Sequence, residues 1–146
     1  MAFLSRVASG EVPCDIEVQD AYLSDLSFTH MELDVLLFVK NEAPFGITLR
    51  EVTFEITFPV GERIQFLGKG TMGEQSIPAD GSVSFTVPVI VENMAILMVL
   101  AEFFKTRGAS ITIKGTAVVD MKLTNLKIPF ERTITSDHIL ESLQKE

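Results

Sequence analysis

Residues 51–67 constrain the fold more than any other stretch of the chain. Val52, Phe54, Ile56 and Phe58 alternate with Thr53, Glu55 and Thr57, Pro59-Val-Gly61 breaks the run, and Ile64 and Phe66 resume it. A period of two residues sets the apolar side chains on one face of a strand and the polar ones on the other. A strand half buried in this way lines one inner face of a layered β protein.

The same period recurs along the chain and marks seven strands, at about 16–22, 31–40, 50–58, 62–68, 83–91, 110–121 and 126–134. In the second, Met31, Leu33, Val35, Leu37 and Val39 share one face; Leu36 and Phe38 interrupt the polar face, which predicts a central strand covered on both sides. In the fifth, Val83, Phe85, Val87, Val89 and Val91 alternate, and Pro88, which lacks an N–H, predicts an edge position or a bulge. The sixth aligns Ile111, Ile113, Ala117, Val119 and Met121, and the last displays Leu126, Ile128, Phe130 and Ile134. Pro78-Ala-Asp-Gly-Ser82 reads as a turn, because Asp and Gly adopt the dihedrals that turns require. Short strands at regular spacing predict an all-β, seven-stranded antiparallel sandwich.

Between the fifth and sixth strands the period changes. Asn93 suits a helix cap, Met94–Lys105 holds good or tolerable helix formers, and Gly108 can close the helix behind Lys105 and Arg107. One helix is too isolated to build a parallel sheet, so it is expected to cross and seal an open end of the sandwich. Residues 136–146 read as a short C-terminal helix with Ile139, Leu140 and Leu143 on one side. The expected division is a loosely ordered N-terminal segment 1–14, the β domain 15–134 and a helical tail 135–146.

Composition narrows the partners. A chain of 146 residues, 47% apolar, with mean hydropathy +0.31, has enough apolar material for one core and does not read as intrinsically disordered. The net charge of −8 repels phosphate backbones and anionic membranes, and the twelve Lys and Arg are scattered, so nucleic acid is not an expected partner. The longest unbroken apolar run, Met94–Ala101, is far short of the ~20 residues needed to span a bilayer. The N-terminus shows no signal-peptide core, and a cytoplasmic location is the default expectation.

Chemistry-bearing motifs are sparse. Gly68-Lys-Gly-Thr-Met-Gly73 matches the dinucleotide fingerprint by letter, but that mechanism needs a helix straight after it, and Pro78 and Asp80-Gly81 forbid one. Glycines here suit a bulge or a close crossing of chains. His30 and His138 have no second ligand at a helical or strand spacing, and no cofactor or metal is expected. Cys14, the only cysteine, reads as a passive thiol unless a positive neighbour lowers its pKa. With no nucleophile elbow, metal set or phosphate cradle, the chain does not read as an enzyme.

The feature out of the ordinary is the helix at 94–104, in which ten of eleven residues are apolar and only Glu102 breaks the run. A helix covered on both sides explains this; so does an exposed patch at Met94, Leu97, Met98, Phe103 or Phe104. Such a patch would adapt to a client protein, an apolar ligand such as a lipid tail, or a second copy. The oligomeric state stays open.

The order of features resembles a known family. Asp15-Ile-Glu-Val-Gln-Asp20, a strand ending Val39-Lys-Asn41, a Pro-containing turn, Val52-Thr-Phe-Glu-Ile56, Leu67-Gly-Lys-Gly70, Ile77-Pro-Ala-Asp-Gly-Ser82 and Val87-Pro-Val-Ile-Val91 lead to the helix. Ile113-Lys-Gly-Thr116, Val119-Asp120 and Ile128-Pro-Phe130 follow it. This succession is similar to the folded group-2 late embryogenesis abundant proteins, the water-stress and hypersensitive-response domain, over about residues 15–134. One departure is that Glu42-Ala43 separates Asn41 from Pro44, where the family places Pro directly after Asn. The resemblance implies a fibronectin-III-like sandwich with one helix, a link to desiccation or other stress, and no known catalytic activity or site residues.

Overall fold

The computed structural model describes residues 14–27, 29–105, 109–120, 124–135 and 137–139. Within the helix the side chains of residues 94, 100, 101, 103 and 104 lie outside that description. Among the described residues there are eight strands: β1 (Cys14–Leu26), β2 (Met31–Asn41), β3 (Ile47–Val60), β4 (Arg63–Met72), β5 (Gln75–Ile77), β6 (Ser82–Val91), β7 (Ser110–Asp120) and β8 (Asn125–Thr135). One helix, α1 (Met94–Phe104), joins β6 to β7. The expectation of seven strands is corrected by β5, whose three residues are too few to show a period. It pairs with Ile47–Leu49, the stretch of β3 that β4 does not reach.

All pairings are antiparallel, in two sheets ordered β1-β2-β6 and β4-β3-β7-β8, with β5 beside β3. Their inner faces share one core. Met31, Leu33, Val35, Leu37 and Val39 of β2 are all buried, facing Val52, Phe54, Ile56 and Phe58 of β3 and Ile111, Ile113, Ala117 and Val119 of β7. Met121 lies outside the described residues. β2 is the central strand of its sheet as its apolar run predicts, while Leu36 and Phe38 remain half-exposed on its outer face. Pro88 sits in β6, an edge strand, where its missing N–H costs no ladder bond on the free side.

Side-chain size is matched across the core. Gly70, Phe54, Gly115 and Phe130 form one inner row over four neighbouring strands. A Cβ on Gly70 would overlap the Phe54 ring, and one on Gly115 would meet Thr53 O and both phenylalanines. The rings of Phe54 and Phe130 meet edge-on over Gly115, centroids 6.4 Å apart at 62°, an arrangement aromatic quadrupoles favour. Gly68 keeps the two sheets close, since its Cβ would stand 2.7 Å from Val89 of the facing sheet. Gly68 and Gly70 of the fingerprint-like segment therefore serve packing, while Gly73 follows the strand in open space, with no helix behind it.

One part of the opening alternation does not continue as the sequence suggests. Ile64 and Phe66 pair with Pro59 and Thr57, so they share the outward face and are 76% and 45% exposed. The hairpin turns at Gly61, whose φ of 62° suits a residue without a Cβ. Beyond it, a register shift lets Leu67 turn inward, and Gly68 returns opposite Ile56.

The seam between the sheets is closed by polar contacts. Arg132 lies on the same side of β8 as Phe130 and Ile134. Its Nη1 donates 2.7 Å to Val18 O and also to Gln19 O, the carbonyls beside a register shift in β1. Of the expected termini, 1–13 lies outside the described residues, and so does most of 135–146. Cys14 begins β1, and residues 137–139 are helical with Ile139 buried.

Asn41 is the one buried polar side chain among the described residues, 1% exposed. Its Nδ2 donates to Phe45 O at 2.9 Å and Pro78 O at 3.0 Å, and its Oδ1 accepts from Ala43 N at 2.9 Å. Backbone bonds Asn41 N to Gly81 O and Asp80 N to Ala43 O run alongside. The chain passes between sheets through 42–46 and again through 78–81, so one amide joins both crossings. Because Asn41→Ala removes three hydrogen bonds and leaves the buried Ala43 N–H without its acceptor, it should cost roughly 2–4 kcal/mol, measured as a lowered urea midpoint; an unchanged midpoint would refute this role.

Candidate functional site

Helix α1 begins as its sequence predicts. Asn93 Oδ1 accepts from Ala95 N at 2.9 Å and Ile96 N at 3.2 Å, capping two otherwise unpaired donors. At the other end Lys105 N bonds Glu102 O, and Lys105 Nζ lies 3.4 Å from Glu102 Oε1. Arg107 and Gly108, expected to finish the helix, lie outside the described residues.

Of the five patch residues named from the sequence, Leu97 and Met98 have described side chains; those of Met94, Phe103 and Phe104 do not. Leu97 is partly buried and packs, with Ile96, against the common core. Met98 is 71% exposed and Val99 38%. The helix thus splits by position: residues 96 and 97 hold it to the sheets, and residues 98 and 99 meet solvent. A thioether and a branched methyl pair in water form an adaptable apolar surface without directional chemistry.

A second feature lies on the outer face of the larger sheet, a shallow concavity of about 640 Å³. Thr53, Thr57, Thr112 and Thr116 floor it, and Glu55, Lys69, Lys114 and Glu131 stand over it. These groups supply hydrogen bonds and charges of both signs. Neither histidine nor the cysteine borders it.

The remaining titratable candidates are dispersed. His30 Nε2 lies 2.6 Å from Asp25 Oδ2, with Ser27 Oγ 3.0 Å from Nδ1, in the turn before β2. His138 Nε2 lies 2.6 Å from Asp20 Oδ1, so the C-terminal segment is held to β1. Among the described residues no group of three or more His, Cys, Asp or Glu converges as a metal set would. Cys14 is 3% exposed; burial, with help from Asp15, pushes its thiol up to about 11. The carboxyl of Asp34 is raised from its ordinary value by partial burial and by the charge of Glu32, against a hydrogen bond from Ser24 that lowers it.

Two structurally important polar residues escape a reading by motif. Asn41 could be noticed only as a polar residue ending an apolar strand before a turn. Arg132 carries no signal, because its partners are backbone carbonyls more than a hundred residues away.

Comparison with known proteins places this geometry. A family model described as late embryogenesis abundant protein, LEA_2, matches residues 36–134. An uncharacterized protein of Methanocaldococcus jannaschii is 27% identical over 135 residues, covering 90% of this chain and 76% of its own. Among solved structures, the late embryogenesis abundant (LEA) candidate At2g46140.1 superposes with a TM-score of 0.61 at 17% identity, covering 94% of this chain and 81% of that one. A protein from Archaeoglobus fulgidus gives 0.59 at 11% identity, over 82% and 92%. At such identities the superpositions speak to fold alone.

Two outcomes follow from the titrating groups. Cys14 stays a protonated, covered thiol at neutral pH, so iodoacetamide should leave the native chain unmodified and label it fully in denaturant; fast native labelling, read by mass, would contradict the burial. Asp34 is an acid whose folded pKa exceeds its unfolded one, so its ionisation weakens the fold as pH rises through 3.8 and above. Asp34→Asn should therefore raise the urea midpoint at neutral pH, with a gain that fades as pH falls below 3.8; a lowered neutral midpoint would count against this.

Proposed function

Because this chain belongs to the late embryogenesis abundant protein family LEA_2, we propose that it is a stress- and desiccation-associated protein, a non-enzymatic protective or binding module. The family match over residues 36–134 carries this reading. The arrangement of the sheets supports a fibronectin-III/immunoglobulin-like sandwich as its frame. On that reading β1, β2 and β6 take the places of strands A, B and E, and β3, β4, β7 and β8 those of C, C′, F and G.

The sheet edges are poor docking sites, which turns attention to surfaces of another kind. An open edge offers unpaired N–H and C=O groups to any passing strand unless it is broken up. Here β6 carries Pro88, β8 carries Pro129, β1 has two register shifts, and the β3–β4 pairing has one. We assign client contact to α1, centred on the exposed Met98, with Leu97, Met94, Phe103 and Phe104 of the same helix as the further candidates. Methionine side chains repack against unlike partners at small cost, which suits a module that meets many surfaces.

The test is protection during drying. Enzymes dried or heated with this protein should keep more activity than with an equal mass of an unrelated acidic protein, and Met98→Asp should reduce the benefit while leaving the fold intact by circular dichroism. Equal losses with and without the protein would sink the proposal. Protection unchanged by Met98→Asp would remove α1 from it.

A further inference from the structure

The outer face of the larger sheet carries an ordered row of charge. Glu55 pairs in register with Lys69 on β4 and with Lys114 on β7, and Lys114 pairs with Glu131 on β8. Read across four strands, the row runs Lys69, Glu55, Lys114, Glu131, alternating in sign and net neutral. All four side chains are exposed. Among the described residues none of the four enters an ion pair within 4.0 Å. Threonines hold three of the four flanking positions on each side, Pro129 and Phe66 hold the others, and the Thr112 and Thr133 hydroxyls lie 3.1 Å apart.

An alternating row of even length has a symmetry consequence. Strands sit about 4.8 Å apart, so the charges occupy equally spaced positions on either side of the row's midpoint. A two-fold axis parallel to the strands and just above this face reverses the row. Lys69 then stands over Glu131 of the second copy, and Glu55 over Lys114, giving four contacts of opposite sign. A two-fold axis along the row instead sets every charge over its own copy, and all four contacts repel. Only one face-to-face geometry is thus favoured.

We infer that this face is a self-complementary surface on which a second copy of the chain docks, sheet to sheet, about a two-fold axis parallel to the strands. The eleven-residue strands β7 and β8 and a width of four strands give a face of roughly 700 Å² per copy, near the ~800 Å² per partner of ordinary interfaces. Phe66 and Ile64 lie on the same face beside the row and add the apolar burial that charges alone lack. Aligned sheets cross at about 30°, which displaces the outer pairs more than the inner ones. Glu55 and Lys114 therefore carry more of the pairing than Lys69 and Glu131. The overall charge of −8 on each copy opposes association at long range, so the dimer needs salt enough to screen whole-molecule repulsion while contacts at a few ångströms persist.

Sedimentation velocity of the full chain from micromolar to millimolar, in about 0.1 M salt, tests this. The expected result is a reversible monomer–dimer equilibrium. Lys114→Glu sets glutamates over glutamates twice and should raise the dissociation constant at least about tenfold. The double variant Glu55→Lys/Lys114→Glu restores opposite signs across the two-fold axis, although it places like charges side by side within one sheet. It should recover the wild-type constant to within about threefold. A role confined to the chain's own sheet predicts no such rescue, so a double variant as weak as the single one overturns the inference. So does a strict monomer at millimolar concentration, or a dimer abolished by Met98→Asp and indifferent to Lys114→Glu.

Discussion

The side chain of Asn41 is the contact on which the two-layered arrangement most depends. A protein whose inner faces are almost wholly aliphatic and aromatic gains burial free energy from any compact stacking of its sheets. Burial alone does not say where the chain leaves one sheet for the other. Asn41 ends β2 and spends its amide on both crossings, 42–46 and 78–81. The Asn41 side chain itself is 1% exposed, so a misplaced loop conformation leaves its amide with an unpaired polar atom. A directional constraint in a non-directional core selects one connection among several that bury similar area.

Around that anchor, packing is settled by size. Phe54 lies between Gly70 and Gly115, and Phe130 meets it from the far side of Gly115. Large against small across neighbouring strands keeps the layer dense without strained rotamers. Gly68 does the same between sheets, bringing β4 against Val89. At the opposite seam Arg132 bonds the carbonyls of Val18 and Gln19, beside a register shift in β1. An inward charge on an edge strand also discourages pairing with foreign strands.

Edges closed by prolines, register shifts and an inward arginine leave two kinds of surface open to partners. The end helix offers Met98 and Val99, soft and apolar, suited to contacts without fixed geometry. The outer face of β4-β3-β7-β8 offers a rigid pattern of alternating charges, suited to one partner in one orientation. The adaptable binding and the symmetric pairing proposed for this chain make opposite demands on rigidity, and the two proposals fall on separate elements.

The strands, the central place of β2, the edge place of Pro88, the cap at Asn93 and the order of features that resembles the family are all legible in the chain. They rest on interactions between near neighbours or on a period of two, and such signals survive in one dimension. The three-residue β5, the outward turn of Ile64 and Phe66, the double crossing held by Asn41 and the reach of Arg132 to β1 are not. Each depends on a register between segments far apart in sequence, where one residue of slip moves a side chain to the other face. The charge row shows the division most plainly. Glu55 is an ordinary polar position in an alternating strand, as are Lys69, Lys114 and Glu131 in theirs. Only pairing of the four strands sets them in line, because the spacing that orders them runs across hydrogen bonds and not along the backbone.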